Sequence, residues 1–150
     1  MIKVREATLA DVETIVALGK QLQQSSAYAN KNFNDSKAKS VVAMMVNSET
    51  DNALVAEDEG QIIGYFLGGL TYEWFSDDLL GFDYSVYVVP AKRDGRAAIK
   101  LFKAFEDWAK AKGVVAIHVG ITTNINNEGN RRFYHFLGYQ DGGRFFEKRL

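Results

Sequence analysis

Between Asp94 and Lys112 the apolar residues Ala98, Leu101, Phe102, Phe105, Trp108 and Ala109 recur on one helical stripe, with Gly113 as the stop. Directly before it, Phe82–Val89 has strand character and ends at Pro90, the only proline in the chain. Directly after it, Val114–Ile121 is a nearly continuous apolar run of strand length, which predicts a central strand buried on both faces. A long amphipathic helix between two apolar strands commits the chain to an α/β arrangement, with helices packed on a sheet.

The remaining segments extend that frame. Ile2–Ala7 alternates apolar and charged residues like a strand, and Thr8 with Asp11 three residues later predicts a helix start. Val12, Ile15, Val16 and Leu18 to Leu22 then supply one apolar face. Asp35 or Ser36 is placed to cap a second helix carrying Val41, Val42, Met44 and Met45. Ala53–Ala56, an acidic turn with Gly60, and Gln61–Leu67 read as a hairpin. A helix over about Asn127–Leu137 and a closing strand around Arg144–Arg149 complete the order β, α, α, β, β, β, α, β, α, β. With no Pro- or Ser-rich linker and no internal repeat, residues 1–150 read as one domain.

Composition removes whole classes of function. Eighteen Lys plus Arg balance nineteen Asp plus Glu, a net charge of -1, so no global basic surface attracts nucleic acid or anionic lipid. The absence of cysteine removes thiol nucleophiles, disulfides and thiolate metal sites, and the two histidines lie far apart at His118 and His135, which argues against a zinc enzyme and predicts no metal. His118, inside an apolar run, reads as a core histidine, and His135 as an exposed helix residue. Apolar runs such as Gln61–Leu70 fall short of the ~20 residues of a membrane span, and Met1–Glu6 lacks the apolar core of a signal peptide, so the expected setting is the cytoplasm.

The segment Val86 to Ala98 concentrates the chemistry. Lys92, Arg93, Arg96 and Lys100 crowd a helix start, where the macrodipole is already positive, an arrangement that calls for an anion. Gly95, Ala97 and Ala98 keep side chains away, leaving first-turn N–H groups open to a phosphate. The alternative is a solvated basic loop before an Ala-rich helix.

These residues resemble the GNAT superfamily of acetyl-CoA-dependent N-acetyltransferases, whose cofactor motif runs from a strand ending V-x-P into R-G-x-G-x-G or a variant opening a long helix. Val88, Val89, Pro90 and Arg93 match in place; Asp94 stands where the first glycine is common, the next glycine falls at Gly95, and Arg96 and Ala98 occupy the fourth and sixth positions. The form is similar to that of some short phage- and prophage-type members. A second family motif, N-x-x-A-x-x-[LF]-Y-x-x-x-G-[FY], is matched by Asn127, Phe133, Tyr134, Gly138 and Tyr139, with Asn130 replacing the small residue. The opening Arg5-Glu6-Ala7-Thr8 with Asp11 resembles the family's R-x-A-x-x-x-D start.

The resemblance implies a twisted mixed sheet, splayed between the strand ending at Val89 and the one around Val114–Ile121, with acetyl-CoA in the splay as cosubstrate. Backbone groups near Tyr87, Val88 and Val89 would pair with the pantetheine arm as with an added strand. Arg93, Asp94, Gly95, Arg96, Ala97 and Ala98 would hold the pyrophosphate. Asn127, with Asn126 as its rival, would face the cofactor. The amine attacks the thioester directly, and Tyr134 is the candidate acid for the leaving thiolate, since a phenol of pKa ~10 can return a proton to it. A base must deprotonate the ammonium, and carboxylates on or before the strand Phe82–Val89 are the candidates: Asp83 and Glu73.

From Thr71 to Val89 the chain carries Glu73, Asp77, Asp78 and Asp83 but no Lys or Arg, together with Tyr72, Trp74 and Phe75. Acids interleaved with aromatics suit a cationic amine acceptor; alternatively Trp74 and Phe75 belong to the core or to an interface, as in a homodimer. The competing function is a non-catalytic acyl-CoA-binding or interaction module, to which Arg96 at a glycine position inclines while Tyr134 inclines to catalysis.

Overall fold

The computed structural model describes residues 1–150. Five strands and four helices follow the chain as β1 (Ile2–Glu6), α1 (Val12–Gln24), α2 (Asp35–Met45), β2 (Asp51–Asp58), β3 (Gln61–Tyr72), β4 (Leu79–Val88), α3 (Arg96–Lys112), β5 (Ala116–His118) and α4 (Asn127–Phe136). They form one sheet in the order β1-β2-β3-β4-β5, antiparallel except for the parallel β4–β5 pair. No helix is long and apolar enough to cross a membrane.

Alternation along the strands builds a core on each face. Ala53 and Val55 of β2 with Tyr65 and Leu67 of β3 pack against Ile15, Val16 and Leu18 of α1 and Val42 and Met45 of α2. Leu54, Ala56, Ile63 and Phe66 point the other way, onto Leu101, Phe102 and Phe105 of α3. Phe66 stacks on Phe105 at 4.5 Å and meets Phe102 edge-on at 5.0 Å. The stripe on α3 is thus the core of one layer, as its period predicts.

The R-x-A-x-x-x-D start has a structural job. Arg5 donates to both carboxylate oxygens of Asp11, at 2.7 and 3.0 Å, and to Glu57 at 2.8 Å. Asp11 also accepts from the Thr8 amide at 2.8 Å. The Arg5 guanidinium holds the buried Asp11 carboxyl down at about 2. This pins β1 to β2 and to the start of α1.

Three expectations are corrected. The run Val114–Ile121 is not a central strand: only Ala116–His118 pairs, at the sheet edge, and Val115 and His118 are exposed. Its one partner, β4, stays with it only from Leu80 to Phe82. The closing strand Arg144–Arg149 does not join the sheet, and Phe145 and Phe146 are exposed. The cap of α2 is Asn34, whose side chain accepts from the Lys37 amide at 3.0 Å, rather than Asp35 or Ser36.

Candidate active site

The site begins with an irregularity in β4. Leu67 pairs with Ser85 but the next residue, Gly68, pairs with Asp83, so Tyr84 is an extra residue bulging from the ladder. Before the bulge β4 lies between β3 and β5; after it, β4 keeps β3 and loses β5. Between the parted strands is a cleft of about 540 Å³. Asp83 to Val88 line one side and Gly120 to Thr123 the other. The start of α3 contributes Arg93, Gly95, Ala98 and Phe102, and α4 contributes Asn130, Phe133 and Tyr134.

At the mouth, Gly95 caps α3 with φ +90°, a left-handed conformation for which glycine is suited. The amides of Asp94, Gly95, Ala97 and Ala98 donate to no group of the protein, as expected of a helix N-terminus. The Arg96 amide, by contrast, is taken by Asp94 Oδ1 at 3.1 Å. The four cations also have partners. Lys92 meets Asp58 at 2.9 Å, Arg96 meets Asp94 at 2.7 Å, Arg93 Nε donates to the Val88 carbonyl at 2.7 Å, and Lys100 donates to the Ile2 carbonyl at 2.7 Å. The crowding expected to await an external anion is therefore relieved by carboxylates and carbonyls of the chain itself. Arg93 further lies over the Tyr87 ring at 5.1 Å.

Deeper in the cleft, Asp83 and Tyr134 come together around Gly120. The Tyr134 hydroxyl donates to the Gly120 carbonyl at 3.2 Å. Burial pushes the Asp83 carboxyl up to about 6, against the pull of its own amide and that of Gly120. Burial, and secondarily the Asp83 charge, raises the Tyr134 phenol above its ordinary value. The ring is held among Phe102, Phe133 and Tyr139, and Tyr139 is fixed by donating to Glu106 at 2.8 Å.

Of the residues singled out in the sequence, Asp83, Tyr87, Val88, Arg93, Gly95, Ala98 and Tyr134 line this cleft. Val89, Asp94, Arg96 and Ala97 flank it, with Ala97 fully buried in the first turn of α3, on the side that faces the core. Glu73 lies in the exposed β3–β4 connection, away from the lining. Trp74 and Phe75 beside it are 94% and 70% exposed, so they are not core. Asn126, not Asn127, caps α4 and lines the cleft. Asn127 bonds Asn124 at 2.9 Å and faces a second depression. The sequence reading missed Tyr84, whose bulge depends on cross-strand register, and Ser85, which shares a 2.8 Å hydrogen bond with the buried Tyr65 hydroxyl. No group of three or more His, Cys, Asp or Glu is placed to hold a metal ion.

Residues 20–139 match a model of the acetyltransferase (GNAT) family. Among solved structures, AAC(6')-Iy in complex with the bisubstrate analog CoA-S-monomethyl-acetylneamine is 19% identical with a TM-score of 0.80, over 100% of this chain and 99% of that one. A predicted acetyltransferase with acetyl-CoA from Clostridium acetobutylicum is 18% identical with a TM-score of 0.82, over 100% and 97%. A ribosomal-protein-alanine N-acetyltransferase from Brucella melitensis biovar Abortus 2308 is 15% identical with a TM-score of 0.72, over 100% and 99%. No match emerges among curated proteins.

Proposed function

The chain belongs to the acetyltransferase (GNAT) family, and from that premise we propose that it is a cytoplasmic enzyme moving the acetyl group of acetyl-CoA directly to a primary amine. The observation that carries the reading is the meeting of Asp83 and Tyr134 across the cleft that the β4 bulge opens. The four free amides at the start of α3 fit a pyrophosphate. The edge of β4 from Ser85 to Val88, without a strand partner on the cleft side, fits an extended pantetheine arm.

Asp83, with a pKa of about 6, is ionised at neutral pH and takes a proton from the bound ammonium. The freed nitrogen attacks the thioester carbon and the C–S bond breaks. Tyr134 gives its proton to the departing sulfur, and the second proton of the new N–C bond's nitrogen restores the phenol. The two groups are coupled. The Asp83 charge is one cause of the raised Tyr134 pKa, so once Asp83 has been protonated the phenol becomes a better acid.

The acceptor we assign is a cationic amine, either a small polyamine-like molecule or a basic protein amino group. Glu73, Asp77 and Asp78 in the exposed β3–β4 connection, with Tyr72, Trp74 and Phe75, lie outside the cleft lining and offer charge and aromatic faces to a cationic amine on its approach. An aminoglycoside, named for one similar structure, is likewise a cationic amine. The test is acetyl-CoA turnover with an amine panel. Tyr134→Phe should lower the rate by about 10²-fold or more while CoA affinity stays unchanged. Equal loss of rate and affinity would make Tyr134 a packing residue. Binding of acetyl-CoA with no turnover across the panel would favour the non-catalytic acyl-CoA module, the reading to which Asp94 at the α3 start lends weight.

A further inference from the structure

Beyond the α3 mouth and the β4 edge, the cleft continues against α1, where Gly19, Leu22, Gln23 and Tyr28 line it. None of these residues is charged. A cofactor at the mouth and along β4 leaves this end to the acceptor.

A pair of hydroxyls stands here. Tyr65 Oη and Ser85 Oγ lie 2.8 Å apart, and neither has another hydrogen-bond partner in the protein. Two O–H protons share one contact, so burial decides which of them is used. Tyr65 is 1% exposed, whereas Ser85 is half-buried and lines the cleft. A phenol that accepted from Ser85 would leave its own proton buried without an acceptor, but a serine that accepts can turn its proton to the cleft. Burial pushes the Tyr65 phenol up to about 12, so it keeps the proton it donates. The pair is therefore ordered, Tyr65 donating to Ser85 and Ser85 donating outward, and the first bond strengthens the second.

Gly19 keeps this donor uncovered. It lies in the interior of α1, where glycine weakens a helix. A Cβ there would stand 3.5 Å from the Tyr65 hydroxyl, so the missing side chain leaves room beside the pair. Neighbouring polar groups are already engaged. Gln23 Nε2 donates to the Tyr28 and Lys31 carbonyls at 2.7 and 2.9 Å, and the Tyr87 hydroxyl donates to Gln21 Oε1 at 3.3 Å.

Resting on the transferase reading above, we propose that Ser85, oriented by Tyr65, determines acceptor specificity by donating a hydrogen bond to an uncharged oxygen, hydroxyl or carbonyl, that the amine carries close to its nitrogen. Ser85 follows Asp83 by two residues, at most about 7 Å along a strand. An amine whose nitrogen meets Asp83 reaches Ser85 with an oxygen a few bonds away. Among cationic amines, amino alcohols and aminoacyl amides are thereby preferred over bare polyamines, which lack the oxygen.

The test measures kcat and KM for matched acceptors: an amino alcohol against its deoxy counterpart, and an aminoacyl amide against the amine with a methylene in place of the carbonyl. The expected result is a kcat/KM ratio of about 10-fold or more for the oxygen-bearing member of one pair, carried mainly by KM, and that pair tells hydroxyl from carbonyl. In Ser85→Ala the ratio should fall to within about twofold of unity. Ser85→Thr, which keeps the hydroxyl, should retain it, and Gly19→Leu, which fills the space beside the pair, should lower it. Equal kcat/KM for both members of each pair overturns the proposal and leaves the transferase reading standing, as does a ratio that survives Ser85→Ala. No turnover with any amine defeats the transferase reading and the proposal with it. If Ser85→Ala fails to fold because the Tyr65 hydroxyl is orphaned, the double variant Tyr65→Phe/Ser85→Ala removes both polar groups and decides in its place.

Discussion

In the proposed mechanism Asp83 does two things with one proton, and they pull in opposite directions with pH. Burial raises its folded pKa to about 6 from the ordinary 3.8, so the folded state holds the proton more tightly than the unfolded chain. Its contribution to stability is present in full below the ordinary value and is lost as pH rises through about 6. The proposed service as a base has the reverse sign, absent when protonated and gained across the same range. Asp83→Asn should therefore flatten the acidic limb of kcat/KM and lower the rate at neutral pH by ~10²-fold or more, while stability loses its fall between acid and neutral pH. A pH–rate profile with an unchanged acidic limb in Asp83→Asn would assign the base elsewhere. Asp94 is the other residue with a sign to test. Its carboxylate accepts from the Arg96 amide and neutralises the Arg96 guanidinium, sitting where an incoming pyrophosphate would bind. Asp94→Asn keeps a capping side chain and removes the charge, so calorimetry should find CoA bound roughly two- to fivefold more tightly, with no gain for pantetheine alone. Weaker CoA binding would mean that Asp94 helps to hold the cofactor rather than compete with it.

At the scale of elements, the β4 bulge is what turns a sheet into a site. It sits opposite Gly68, where an added Cβ would clash with the Phe105 ring and come within 2.8 Å of the Phe82 carbonyl. Gly68→Ala should cost about 1–3 kcal/mol in urea unfolding as the ring and the bulged strand are forced apart. No loss would show that the bulge has slack. The helix α3 was readable from its sequence because its stripe is a local property: Leu101, Phe102 and Phe105 are buried by the sheet their own spacing selects. Tyr134 was readable from its motif, whereas its bond to Gly120 was not, since that depends on where β5 ends. The apolar run Val114–Ile121 misled because apolar content cannot distinguish an edge from a centre; burial is supplied by neighbouring strands, and β4 turns away after Phe82. Glu73 misled because charge along a segment says nothing of direction, and the connection carrying it turns outward to solvent.

For the molecule as a whole, two cores on opposite faces of one sheet hold the strands rigid while the far end of the sheet stays parted. The loop cations are already engaged by Asp58, Asp94 and two carbonyls, so in the proposed mode of binding affinity for a nucleotide-bearing thioester falls mainly to fixed backbone groups: the open amides of α3 and the strand edge of β4. A site that binds in this way would distinguish acetyl-CoA from other phosphorylated nucleotides by its pantetheine arm more than by charge. Thermal unfolding with and without ligand tests this most directly. At about 100 times its dissociation constant acetyl-CoA should stabilise the fold by ~2.7 kcal/mol, a rise in Tm of roughly 5–10 °C, with ATP or NAD at the same concentration giving markedly less. An unchanged Tm at millimolar acetyl-CoA, or an equal rise with ATP, would contradict the assignment of this cleft to acetyl-CoA.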